Sequence, residues 1–313
     1  MLALYYFQFQ QTGFQFCYLE LATEYHNYNF CFFALYMSLF ISSLNSGSNG
    51  NCYYIGNHSE AVLIDAGLSC RETEKRLARS GLSFSKIKAL FISHEHGDHV
   101  RGAEVIARKH KIPLYISENA FKHSRINLDP NLVITLVTYQ PVQVGGLLVN
   151  AFPKQHDACE PHSFTVSGNG ITVGVLTDIG KACKHVIKNF KLCHAAFLEA
   201  NYDEVMLEEG SYPPYLKKRI RGDQGHLSNH QALELFINHK SPFLGHLLLS
   251  HLSRDNNDPK LVQDLFAKSA GDTYISVASR YQESEVYCIT GETTVISGKV
   301  KNLTADPVQM SLF

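Results

Sequence analysis

The chain has 313 residues, 45% of them hydrophobic and 18% charged, with a formal net charge of −1. That balance suits a soluble chain with a sizeable core and excludes a global basic field, so any nucleic-acid contact must come from a local patch. Eight cysteines without a Cys-x-x-Cys pair are too sparse for a disulfide framework and point to reduced thiols and a cytoplasmic location.

Residues 1–36 are rich in Phe and Tyr and contain no Lys or Arg. A secretory signal needs a positive start and an unbroken apolar run, and a membrane helix needs about 20 apolar residues; Gln8, Gln10, Gln11, Glu20 and Glu24 interrupt the segment for both purposes. It reads as an extension ahead of a start at Met37. Leu39 to Ser43 is a first strand, followed by the turn-forming Asn45-Ser-Gly-Ser-Asn-Gly-Asn51. Cys52 to Ile55 and Ala61 to Ile64 form a hairpin that ends at Asp65-Ala-Gly67. Arg71 to Ser80 is a helix stopped by Gly81. The apolar strand Ile87 to Ile92 runs directly into a histidine-rich loop, and Val100 to His110 is the next helix.

Further strands are expected at Leu114–Ile116, Leu132–Val137, Leu147–Phe152, Ser163–Val166, Ile171–Leu176, Ala195–Leu198, Leu247–Ser250 and Asp272–Ala278. Helices are expected near Lys184–Asn189, Asn229–His239 and Lys260–Ser269. Strand-rich halves with interleaved helices predict an α/β chain with a two-sheet core and outer helices. Residues 37–290 read as one domain and residues 291–313 as a peripheral tail.

The chain holds 16 histidines, and they cluster. His94-x-His96-x-Asp98-His99 lies where an apolar strand meets a helix. A strand end is stiff, imidazoles suit borderline metals such as zinc, and a carboxylate adds charge and hardness. Gly97 is expected to let the backbone turn tightly enough to aim these groups at one point. A polar surface loop is the plainer explanation, but four donors in six residues at a strand end argue against it. Glu199 ends the apolar strand Phe197-Leu-Glu199, and His226 follows Gly225 just ahead of a helix. A carboxylate that orients an imidazole makes a proton donor, useful when an alkoxide leaves a phosphodiester; the bland alternative is a capping Glu and a surface His.

The loop resembles the signature of the metallo-β-lactamase superfamily. The resemblance implies an αββα four-layer sandwich of two mixed sheets with outer helices. It implies two divalent metal ions, zinc first and manganese second. His94, His96 and His156 would hold one metal, Asp98, His99 and His251 the other, and Asp178 would bridge them. Asp65 would support the site from behind the ligands. Two metals about 3.5–4 Å apart bring the pKa of a shared water toward neutrality, which predicts a hydrolase. His226, Glu199 and Asp98 would be its catalytic residues. The Glu199–His226 pair resembles that of the ribonuclease Z group, where the His after a Gly is the general acid. Only about 20 residues separate His156 from Asp178, too few for the tRNA-binding arm of that group. The stretch from Asp178 to Glu199 likewise leaves no room for an inserted β-CASP domain.

From Met37 to Ile289 the chain resembles the YycJ/WalJ group. The resemblance rests on Ser46-Gly-Ser-Asn-Gly-Asn-Cys52, Leu63-Ile-Asp-Ala-Gly67, Ser93 to His99, Thr177-Asp-Ile-Gly180, Leu198-Glu-Ala-Asn-Tyr202, Gly225-His-Leu-Ser228 and Ser250-His-Leu-Ser253. It implies a phosphodiesterase, a 5′→3′ exonuclease on DNA with a role in mismatch repair. The basic run Lys217, Lys218, Arg219 and Arg221 precedes His226 and suits a phosphate backbone, although a solvated charge run explains it equally well. Arg101, Arg108, Lys109 and Lys111 flank the metal loop and would extend the track, with Tyr212 and Tyr215 as stacking surfaces. The alternative is a small-molecule hydrolase for a thioester, lactone or cyclic nucleotide, which needs the metal site alone. A non-catalytic regulator would be expected to have lost ligands, and all seven are present.

Overall fold

The computed structural model describes residues 38–291 and 295–298. The extension expected over residues 1–36 lies outside the described residues, as does most of the 291–313 tail. Fifteen strands are described: β1 (Leu39–Asn45), β2 (Cys52–Gly56), β3 (Ala61–Ile64), β4 (Ile87–Phe91), β5 (Leu114–Ile116), β6 (Val133–Thr135), β7 (Val142–Val144), β8 (Leu147–Pro153), β9 (His162–Gly168), β10 (Ile171–Leu176), β11 (Ala195–Glu199), β12 (His246–Ser250), β13 (Tyr274–Val277), β14 (Val286–Ile289) and β15 (Val295–Gly298). The helices are α1 (Cys70–Arg79), α2 (Gly97–Val100), α3 (Ala103–His110), α4 (Glu118–His123), α5 (Lys184–Phe190), α6 (Glu204–Glu209), α7 (Pro214–Arg221), α8 (Asn229–His239) and α9 (Pro259–Ala267).

The strands form two sheets, ordered β15-β14-β1-β2-β3-β4-β5-β6 and β13-β12-β11-β10-β9-β8-β7. Both are mixed: β3, β4, β5 and β6 run parallel in the first, and β10 to β13 run parallel in the second. Their inner faces meet in one core. Ile41, Tyr53, Ile64 and Phe91 of the first sheet pack with Val149, Phe164, Val175 and Phe197 of the second. Phe91 and Phe164 meet edge-on with centroids 6.0 Å apart. Truncating such a phenylalanine to Ala typically costs about 3–5 kcal/mol. On the outer face of the second sheet, Phe190 of α5, Phe236 of α8 and Phe266 of α9 cover Leu198, Leu247 and Leu249. Helices α1 and α3 cover the first sheet, where the buried Arg76 reaches the Leu44 carbonyl of β1 at 2.8 Å. The four-layer sandwich expected from the sequence is the fold observed.

The strand β15 falls inside the segment expected as a tail and extends the first sheet by pairing antiparallel to β14. Helices α4, α6 and α7 stand where the sequence suggested only loops or a charge run. The expected helix from Val100 to His110 divides into α2 and α3 around Arg101 and Gly102.

This topology positions the site. Strands β3 and β4 are parallel, as are β10, β11 and β12, and β8 shares their direction because two antiparallel pairings separate it from β10. Their carboxyl ends therefore collect along one edge of the sandwich, the usual place for a ligand crevice in mixed α/β folds. Asp65, His94, His156, Asp178, Glu199 and His251 stand at or just beyond those ends.

Candidate metal centre

Three of these residues end their strands in the same unusual way. Asp65, Asp178 and His251 have φ of 62°, 54° and 57°, in the left-handed region that costs a non-glycine residue about 1–3 kcal/mol. The reversal occurs at the first residue or two past β3, β10 and β12 and places a polar group at the sandwich edge. Asp and His tolerate that conformation better than branched residues do. The surrounding packing must hold it.

The glycine freedom expected at Gly97 is used elsewhere. Gly97 is not among the positive-φ residues, and a Cβ there would meet nothing within 4 Å. The tight position is Gly67, where a Cβ would lie 1.7 Å from the Asp98 carbonyl oxygen. There the Asp65-Ala-Gly67 turn presses against the histidine loop, and Asn51 N donates to that same Asp98 carbonyl at 2.7 Å.

Hydrogen bonds fix four of the five imidazoles. The buried Asp65 accepts from Ser93 N (2.8 Å), Ser93 Oγ (2.9 Å) and His99 Nδ1 (2.7 Å). The Ser93 hydroxyl proton is thus committed to Asp65, so its oxygen accepts from His94 Nδ1 at 2.8 Å. His156 Nδ1 donates to the Gly225 carbonyl at 3.1 Å, and His251 Nδ1 donates to Glu199 Oε1 at 3.0 Å. In all four rings Nδ1 is occupied and Nε2 is left facing the crevice.

Those nitrogens converge with the carboxylates. His94 Nε2 lies 3.1 Å from His96 Nδ1. Asp178 lies 3.2 Å from His99 Nε2, 3.4 Å from His251 Nε2 and 3.8 Å from His156 Nε2. Asp98 Oδ2 lies 3.5 Å from His99 Nε2 and 3.8 Å from His251 Nε2. The donor atoms gather as His94/His96/His156, Asp98/His99/His251 and His94/His99/Asp178, each set within 4.8 Å. Buried Asp178 Oδ2 and His251 Nε2 have no hydrogen-bond partner among the described residues, an expensive state in a protein interior that a cation would relieve. Five imidazoles and two carboxylates suit a pair of divalent metal ions.

The electrostatics agree. Burial opposes a charge on His251, but Asp178, Asp98 and Glu199 outweigh it and lift the ring to about 10. The same opposition at His99 is outweighed by Asp178, Asp65 and Asp98. Burial alone would raise Glu199, yet His226 and His251 hold it down at about 2. The pocket around His99 and His251 is an anionic enclosure that favours positive charge.

All seven ligand candidates, and Asp65 behind them, therefore meet at one place. Glu199 and His226 join them: Glu199 Oε1 accepts from His226 Nδ1 at 2.8 Å as well as from His251, while Oε2 accepts from Ile179 N and Leu227 N. The sequence suggested the pair but not the bridge to His251. It also missed Ser93, the Gly225 carbonyl and Asn51, whose Nδ2 reaches Asp98 Oδ2 at 3.2 Å. Asn51 sits among turn-formers, where an amide side chain has an ordinary local explanation. Glu95 points away from the donors and binds Cys159 N at 3.0 Å, tying the His94 loop to the His156 loop.

The basic run is the helix α7. Arg219 pairs with Asp157 at 2.5 Å, beside His156, and Arg221 pairs with Glu208. Lys217 bonds the Glu208 carbonyl, and neither it nor Lys218 has an ion pair among the described residues. In the suggested extension, Arg108 pairs with Glu104 and Lys109 with Glu74, whereas Arg101 donates to the Asn49 carbonyl at the crevice rim. Tyr212 is held by Asp255, and Tyr215 is 75% exposed on α7. Among the described residues no helix is long and apolar enough to cross a membrane.

The family model described as the beta-lactamase superfamily domain matches residues 60–250. The chain is 33% identical over 230 residues to the exodeoxyribonuclease YycJ of Bacillus anthracis, an alignment covering 72% of this chain and 87% of that protein. It is 32% identical over 225 residues to the exodeoxyribonuclease WalJ of Streptococcus pneumoniae, covering 70% and 84%. The solved structure of Zn(2+)-bound PqqB from Methylobacterium extorquens superposes with a TM-score of 0.62 at 13% identity, over 79% of this chain and 99% of the other, a likeness of fold. The chain belongs to the beta-lactamase superfamily, alongside YycJ and WalJ, and is a metal-dependent hydrolase.

Proposed function

We propose that the protein is a phosphodiesterase that degrades DNA from its 5′ ends, with mismatch repair as its setting. His94, His96 and His156 would hold one metal ion and Asp98, His99 and His251 the other, with Asp178 available to both. Zinc suits the imidazole-rich set, and manganese is the second choice. When bound, such a pair polarises the phosphodiester and makes a nucleophile of water.

The protein's own groups do the rest. Asp98, whose side chain is 20% exposed, is placed to accept a proton from water. His226, also 20% exposed at its side chain, donates Nδ1 to Glu199, which turns Nε2 toward the crevice to protonate the leaving oxygen. The observation that carries this reading is the single oxygen, Glu199 Oε1, that holds both His226 and His251. It ties a proton donor rigidly to the metal set, an arrangement suited to a poor alkoxide leaving group. The names of YycJ and WalJ support DNA as the substrate. Lys217 and Lys218 on α7 and Arg101, which follows the histidine loop, supply charge for the strand.

The test is end polarity. Metal-loaded protein is incubated with duplex DNA labelled separately at 5′ and 3′ ends, beside His226→Ala and Asp178→Ala. Stepwise loss from 5′ ends is expected, abolished in Asp178→Ala. It should be slowed about 10²–10⁴-fold in His226→Ala with metal content unchanged. A His226→Ala protein at full rate removes the acid assignment. No cleavage by protein holding two metal ions moves the substrate to a small ester or phosphodiester.

A further inference from the structure

A second group of metal-ligating side chains lies outside the crevice, where α1 crosses α3. Cys70 and Glu74 occupy one face of α1 at i and i+4, and His110 is the last residue of α3. Cys70 Sγ is 3.6 Å from Glu74 Oε1 and 4.0 Å from His110 Nε2, and His110 Nε2 is 2.8 Å from Glu74 Oε1. Three donors of different chemistry meet as a triangle.

The triangle has the dimensions of a metal site. Zinc bonds of about 2.3 Å to sulfur and about 2.0–2.2 Å to nitrogen and oxygen, set tetrahedrally, put donor atoms roughly 3.3–3.6 Å apart. The observed edges straddle that range. A catalytic Cys–His–acid relay is the rival explanation, but in a relay the acid must hold the ring nitrogen opposite the thiol. Here thiol and carboxylate both address Nε2, so the three converge on a point instead of forming a chain. Phe84 stacks on the His110 ring with centroids 3.5 Å apart and planes 15° apart, which fixes the direction of that nitrogen.

Burial favours the same assignment. Cys70 is 6% exposed, whereas Glu74 and His110 are half-buried, leaving one side open for a water as fourth ligand. A cation already sits there: Lys109 Nζ lies 2.6 Å from Glu74 Oε1 on a side chain 56% exposed and free to swing away.

We propose that Cys70, Glu74 and His110 form a third metal site for a thiophilic divalent ion of the zinc or cobalt type, which clasps α1 to α3. It is independent of the crevice and of the DNA reading. A thiolate ligand makes the test selective, because none of the crevice donors is a cysteine. Protein whose crevice pair is already loaded with Co(II) is titrated with further Co(II) while the near-ultraviolet thiolate-to-cobalt charge-transfer band is followed and bound metal is counted. About one equivalent beyond the crevice pair is expected to raise the band. Cys70→Ala and His110→Ala should each abolish it and lose that equivalent, while the visible cobalt bands of the crevice persist and certify the fold. Glu74→Gln, a partly exposed change that leaves the packing intact, should weaken binding about 10–100-fold. A wild-type protein without the band, or a band that survives in Cys70→Ala, overturns the site.

Discussion

The two halves of the crevice use the same ring in opposite electrostatic settings. In the half built from His94, His96 and His156, neutral groups hold the rings: the Ser93 hydroxyl behind His94 and the Gly225 carbonyl behind His156. Burial then governs, taking His94 well below the ordinary imidazole range and His156 to about 4. In the half built from Asp98, His99 and His251, buried carboxylates hold the rings: Asp65 behind His99 and Glu199 behind His251. There burial works in the same direction and loses, and both rings rise. The contrast separates two causes that usually act together. Exclusion of water sets a common penalty, and the carboxylates behind the ring decide the outcome. On the proposed ligand assignment the second half is expected to bind its cation more tightly and the first to release it more readily.

Glu199→Gln breaks the comparison most severely, because Glu199 serves both His251 and His226. The side chain keeps its shape and loses its charge. Turnover of a phosphodiester should fall about 10²–10⁴-fold, as for loss of a general acid, and the second half should bind metal about 10–100-fold more weakly. Single-turnover kinetics and a chelator competition read the two effects separately. A fall in turnover with metal affinity intact would mean that Glu199 acts through His226 alone.

Asp65→Asn acts unequally on the two halves: it removes the charge behind His99, whereas it reaches His94 only through the Ser93 hydroxyl. The wild-type protein should surrender its two metal ions to a chelator in two separated steps. In Asp65→Asn the tighter step should weaken about 10–100-fold and approach the other. Equal loosening of both steps would show that the two halves share one field and that the neutral-against-anionic distinction has no consequence for affinity.

The sequence showed the parts of this site that announce themselves by residue type and position. Four donors in six residues after an apolar strand point to a metal loop, and lone groups such as Asp178 and His251 could be placed through the resemblance to the superfamily, whose later ligands follow apolar strands as these do. What it hid were partners defined only by the folded chain. Ser93 appears as filler before His94, yet its one proton, given to Asp65, decides which nitrogen of His94 faces the crevice. The Gly225 carbonyl has no side-chain signature at all. The reversed backbone at Asp65, Asp178 and His251 follows from tertiary packing, against local preference. In α7 the four charges read alike, but two meet acids 62 and 13 residues away, Asp157 and Glu208. Helices α4, α6 and α7 span six to eight residues, about two turns, too short for hydrophobic periodicity to declare itself.

His246 supplies the control for the opening contrast, and the smallest effect. It begins β12, away from the crevice, 1% exposed, with Nε2 bonded to the Ser276 hydroxyl at 2.7 Å and Nδ1 without a partner among the described residues. Among the described residues no carboxylate stands behind it, and burial lowers it to about 3. The folded protein thus keeps this ring neutral while the unfolded chain protonates it near pH 6.5. Between those values the unfolded state binds the extra proton, so stability rises with pH there; the contribution is whole above about pH 6.5 and shrinks as pH falls. The loss approaches about 1.4 kcal/mol per pH unit, or roughly 2 kcal/mol by pH 5. His246→Asn cannot titrate, so the wild-type-minus-variant difference in unfolding free energy should fall by that amount from pH 7 to pH 5, with any acid release of metal common to both and cancelling. A difference that stays flat with pH would mean that burial does not depress His246, and would remove the common penalty on which the comparison of the two halves rests.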